Sequence, residues 1–249
     1  MSLDLQAAAN KRMRRGLIAL AAIVVVLAVI IVFLLAFGGD KKTTDGKGAS
    51  AGTQPAPAAT ETPSDTYTNP KNWVDLPNGT GTSNGLPVKF PKSPEGAAAM
   101  MVSLLRASWT LDPADVARAA TTYSLPQEVE AVKAAAPQAA AGNRKVAGIP
   151  TDGPIPPGAR FFAIPIGVQW TRQDDTHVRV SVDIRVVTNA GNGAENETQL
   201  ISMAGMAVWS GDDWKNASLP PGDQPEPFDI GSEGFNKAGW KAIQEGGRR

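Results

Sequence analysis

The stretch RFFAIPIGVQWTRQDDTHVRVSVDIRVV, residues 160–187, decides the fold. Phe162, Ile164, Ile166, Val168 and Trp170 recur at every second position, and after Gln173-Asp174-Asp175-Thr176 the period returns in Val178, Val180, Val182, Ile184 and Val186. A period of two is that of a strand with one buried face, and a short polar, acidic connection is turn chemistry, so the stretch predicts a long antiparallel hairpin. In the second run the apolar residues alternate with His177, Arg179, Ser181, Asp183 and Arg185. One face is therefore expected on the core and the other in solvent or against another subunit. Pro165 has no N–H to give to a ladder, which predicts an edge position or a bulge, and a bulge would curl the sheet.

Downstream, a loop at Asn189 to Glu197 leads to a third strand, Leu200 to Trp209, and Gly211-Asp212-Asp213 turns into a fourth at Trp214. Phe228-Asp229-Ile230 is strand-like, and a short helix is expected around Phe235 to Ile243, containing Trp240. Upstream the period is helical. Ser93-Pro94-Glu95 supplies an N-cap, a proline at the first helical position and an early acid, before Ala97, Met100, Met101, Leu104, Leu105 and Ser108 at 3/4 spacing. Asp112-Pro113 opens a second helix with Val116, Ala119, Ala120 and Tyr123 on one face. Ser124 with Gln127 reads as a capping box around Pro126 for a third, carrying Val129 and Val132 and ending before Gly142. The fold class expected is α+β, about three helices packed on a curved antiparallel sheet.

Ahead of this domain, Gly16 to Phe37 is an unbroken run of 22 residues with no charged or hydrogen-bonding side chain. As a helix it would span roughly 33 Å, enough for a hydrocarbon core, and lipid-buried backbone must pair internally. Lys11, Arg12, Arg14 and Arg15 precede it, against Lys41, Lys42 and Lys47 after it. The positive-inside bias puts the N-terminus in the cytoplasm and the rest outside, a single-pass anchor at the cell membrane. A cleaved signal peptide is the competing reading. The run exceeds an ordinary signal core, and Leu35-Ala36-Phe37-Gly38 is a poor cleavage site. Residues 38–85 are Gly-, Thr-, Ser-, Ala- and Pro-rich and bury too little to offset ordering, so a disordered linker is expected. Within it, Trp73, Val74 and Leu76 form an apolar island that either docks on the domain or contacts another protein. The division expected is thus 1–15 cytoplasmic tail, 16–37 transmembrane helix, 38–85 linker, 86–245 extracytoplasmic domain and 246–249 tail.

No residue set announces a chemistry. The chain has no Cys, so disulfides, thiolate metal sites and a lipidated cysteine are excluded. His177 is the only histidine; it would have to carry any His-dependent catalysis, and its one same-face acid is Asp183. Both are expected on the solvent face of a strand. Asp174-Asp175 and Asp212-Asp213 resemble chelators but sit where turns want acids. Gly46-Lys47-Gly48 and Gly191-Asn192-Gly193 lack the spacing and the following helix of a phosphate loop. Residues 86–249 carry 16 Lys/Arg and 18 Asp/Glu, a net of 16 − 18 = −2, without a basic patch for nucleic acid. Catalytic, cofactor-binding and metal sites are all expected to be absent.

Three helices, then long curled strands, behind an anchor and a linker, is a pattern carried by Phe90-Pro91-Lys92-Ser93-Pro94-Glu95-Gly96-Ala97 to Trp109 and Arg160-Phe161-Phe162-Ala163-Ile164 to Val187. Over roughly residues 88 to 218 it resembles the cone-shaped nuclear-transport-factor-2-like domains of VirB8 and TcpC proteins, subunits of bacterial conjugation machines. The abundance of Ala, Gly and Pro over Lys points to an actinobacterial source. The resemblance implies a non-catalytic structural subunit of a conjugation or type IV-like secretion complex. Its partners would be the membrane, other subunits and further copies of itself. Similar anchored cones beside transporters imply the alternative, an extracytoplasmic module binding a small apolar ligand. A ligand module needs an apolar cavity, whereas a scaffold should have a filled core.

Overall fold

The structure is a computed structural model and describes residues 67–217 and 224–244. The tail, the Gly16–Phe37 anchor, the linker as far as residue 66 and the 246–249 tail lie outside the described residues. Those described form an α+β domain of eight strands and four helices. Along the chain come β1 (Trp73–Asp75), β2 (Gly81–Ser83) and β3 (Leu86–Val88), then the helices α1 (Pro94–Ser108), α2 (Pro113–Tyr123) and α3 (Val129–Val146). The long strands β4 (Arg160–Arg172), β5 (His177–Asn189) and β6 (Glu197–Ser210) follow, then β7 (Asp213–Ala217), α4 (Glu233–Lys237) and β8 (Lys241–Gln244).

The hairpin read from the sequence is the centre of the molecule. β4 to β7 form an antiparallel meander in a six-stranded sheet of order β1-β8-β4-β5-β6-β7. Pro165 acts through a bulge: the register slips between Pro165 and Gly167. Because side chains alternate with period two, one extra residue inverts the faces beyond it. Val168 and Trp170 pair with Val182 and Val180 on the inner face, but before the bulge Phe161 and Ala163 are the buried residues and Phe162 is 38% exposed. The expected single face from Phe162 to Trp170 is corrected accordingly.

α1 covers the inner face, entering through Ser93, whose hydroxyl accepts from the Gly96 N–H at 3.1 Å. α2 is capped by Asp112 in the same way, at 2.8 Å from the Ala114 nitrogen. The capping box expected for α3 does not form. Ser124 instead ends α2, donating its N–H to the Ala120 carbonyl and bridging to Asn216 of β7, so α3 starts only at Val129, without a side-chain cap. α3 lies on α2 through Val116, Ala136 and Ala140, and its end is pinned by the buried Arg144, which donates to the carbonyls of Leu111 and Gly153 at 2.9 and 2.8 Å.

Residues 67–85 belong to the domain, which corrects the expected linker boundary at 85. Asn72 accepts from the Ala242 N–H at 2.9 Å, and β1 lies parallel to β8 with Val74 buried in the core and Leu76 packed against it. Trp73 points outward, 52% exposed. A chain starting at Leu86 loses this strand. It is expected to be at least about 2 kcal/mol less stable in urea than one starting at Tyr67, given the burial of Val74 and the pairing lost. Equal midpoints would return β1 to the linker.

The C-terminal piece also differs from expectation. Phe228–Ile230 forms no strand, and the helix ends before Trp240 because Gly239, at φ +79°, takes the left-handed position of a Schellman cap. The Trp240 N–H reaches back to the Phe235 carbonyl at 3.2 Å, and the chain then extends as β8.

Candidate functional site

With helices on the inner face, the outer face of β4 and β5 would meet water if residues 224–244 did not cross it. They form a strap with its own small core of Phe235, Trp240 and Ala242, flanked by Phe228 and Ile230. The Trp240 indole donates to the Glu226 carbonyl at 3.1 Å, closing the strap on itself. Four outer-face side chains fasten it: the Ser202 hydroxyl donates to the Pro225 carbonyl, Arg185 pairs with Asp229, Gln169 donates to Ala238 at 2.8 Å, and Asp183 accepts from Phe228. Gly167 sits opposite Asp183 and makes the fit possible, since a Cβ there would stand 2.8 Å from the Phe235 ring.

Asp183 is therefore buried, 0% exposed, and not on a solvent face as the alternation suggested. Its Oδ2 accepts from the Phe228 N–H at 3.2 Å, while Oδ1 has no hydrogen-bond partner among the described residues. Burial pushes its carboxyl up to about 7, against the pull of the Phe228 and Ile184 N–H groups; the Asp229 charge adds to the rise and Arg185 opposes it. A group held near neutrality in this way can keep or release a proton at ordinary pH.

His177 does not join it. Six residues along one strand separate the two by about 20 Å. The imidazole Nδ1 instead lies 3.0 Å from Asp174, whose carboxylate also accepts from the Thr176 and His177 N–H groups. These bonds, the backbone one from Thr176 foremost, hold Asp174 well below the usual carboxylate range. The cluster is a hairpin turn. Asp175 pairs with Arg172 beside it.

The second acidic pair splits. Asp212 is exposed, 3.6 Å from Lys89, whereas Asp213 is buried and accepts from the Phe90 and Trp214 N–H groups at 3.0 and 2.9 Å, clasping the segment that enters α1. Gly191-Asn192-Gly193 is a left-handed turn packed on Pro157, and Gly46-Lys47-Gly48 lies outside the described residues. Among the described residues no three metal-ligating side chains converge.

The inner face is occupied by the chain's own side chains. Met100, Val168, Val178, Val180, Val182, Ile184, Val186 and Trp214 are all at most 1% exposed, and the Met101 methyl reaches so close to Gly205 that a Cβ there would lie 2.5 Å from it.

Compared with protein-family models, curated proteins and solved structures, the chain matches none of them.

The sequence reading missed Asp183 because strand alternation describes one strand, not what lies over it. The available signal was Phe228, Ile230, Phe235 and Trp240, four large apolar residues near the chain end that need a surface to cover.

Proposed function

We propose that the protein is a non-catalytic, membrane-anchored structural subunit of an envelope complex of the conjugation or type IV-like secretion kind, its domain an NTF2-like cone of the VirB8 and TcpC type. The observation that carries this reading is the filled inner face: Met100, Val182, Ile184 and Trp214 occupy the space between helix and sheet that a carrier would leave for an apolar ligand. The acidic pairs add to it, each being engaged in turn or clasp geometry. The membrane, sister subunits and further copies of the chain are its partners in this reading, with no direct nucleic-acid contact.

Cross-linking of intact cells, followed by solubilisation of the membranes, tests the proposal. The chain is expected in an assembly larger than the monomer and containing other membrane proteins, and protease added to intact protoplasts should remove the domain. Recovery as a monomer alone, or a domain that survives the protease, would overturn it.

A further inference from the structure

Asp183 is the least ordinary group in the domain: a carboxyl with no exposed surface, one of its oxygens without a partner among the described residues, beneath a segment that it helps to hold. Uncompensated buried charge is costly, whereas the neutral acid keeps the Phe228 bond without it. We propose that residues 224–244 are a pH-released cover: protonated Asp183 holds the strap on the sheet, and ionisation of Asp183 loosens it, uncovering the outer face and the β4 edge at Gly167 and Val168.

Among the described residues the surroundings offer no cation free to balance the charge. From β4 the residue opposite is Gly167, from β6 it is Ser202, and from α4 it is Phe235, none of them ionisable. On β5 the near cation is Arg185, already paired with Asp229 of the strap. Lys241 of β8 turns to the other face, its Nζ 3.2 Å from the Trp170 ring centroid. The Glu233 and Lys237 side chains of α4 pair with each other in solvent. What the strap covers includes a strand edge, since β8 pairs with β4 at Gly167 and Val168, and an edge freed of its partner is a template for another strand.

The open strap leaves Asp183 in water with an ordinary value near 4, while the docked state raises it to about 7, so between these limits the docked state holds a proton the open state has lost. Docking is strongest below about pH 4, weakens as pH rises through 4 to 7, and levels off above about 7.

Hydrogen exchange of the full-length chain, corrected for intrinsic rates, tests this between pH 5 and 8. Protection of residues 224–244 should fall about 100-fold across that range while β5 stays protected. Asp183→Asn, which mimics the neutral acid, should keep the strap protected and remove the pH dependence. Asp229→Asn removes a charge that raises Asp183 and frees Arg185 to lower it, so the midpoint should move to lower pH. A flat wild-type profile, or the same fall in Asp183→Asn, overturns the proposal. If Asp183→Asn fails to protect β5, Asp229→Asn decides, and an unmoved midpoint overturns it. None of these outcomes depends on whether the chain belongs to an envelope assembly.

Discussion

Val182→Asp is expected to abolish folding of the domain. The side chain is 0% exposed in the middle of β5, flanked by Val168 on β4 and Met203 on β6, on the face that α1 covers. Replacement loses about 1.5–3 kcal/mol of valine burial and adds an unpaired buried carboxylate costing about 3–5 kcal/mol more, against a total stability of about 5–15. The variant should show no cooperative thermal transition by near-ultraviolet circular dichroism. Asp183 carries the same carboxyl one residue along, on the opposite face, where the Phe228 N–H meets it, and the domain accommodates it. An unchanged melting curve for Val182→Asp would mean that the faces of β5 are reversed.

Trp214→Ala comes next in size. The indole is 1% exposed, stands edge-on to Trp209 with centroids 5.3 Å apart, and donates from Nε1 to the Pro91 carbonyl at 2.8 Å. Truncation removes the largest buried side chain linking β7 to the start of α1 and leaves that carbonyl with the Ser93 N–H as its remaining donor. A loss of about 3–5 kcal/mol is expected, a fall in Tm of about 10 °C by calorimetry. Trp214→Phe should recover most of it, leaving a deficit of about 1 kcal/mol for the hydrogen bond. A Trp214→Ala protein melting within about 2 °C of the parent would show that this corner of the core does not hold the helices to the sheet.

Local grammar was legible in the sequence wherever a segment needs only its own residues. The β4–β5 hairpin, the caps of α1 and α2 at Ser93 and Asp112, and the choice between an edge position and a bulge at Pro165 all follow from period, cap and proline chemistry within a few positions; the register of β4 on β5 decides for the bulge. Errors began where a segment's partner lies far along the chain. Trp73, Val74 and Leu76 were legible as an apolar island that docks on the domain or meets another protein, but the stretch around them reads as linker, and only β8, about 170 residues later, makes Trp73–Asp75 a strand. Ser124 carries the chemistry of a helix start, but its bridge to Asn216 uses it to end α2. Of the candidate site, His177 at a polar turn was legible and the burial of Asp183 was not.

By itself the sequence determined the α+β class, the central hairpin and the residues of β5 that face the helices, because strand and helix periods and backbone hydrogen-bond requirements act at short range. Only the tertiary structure decided which face Phe162 takes, that β1 completes the sheet, and that a polar strand position is a buried acid. Those outcomes depend on register across a bulge and on the return of residues 224–244 over the sheet. They are set by long-range pairing and by the desolvation it imposes, which no local pattern encodes.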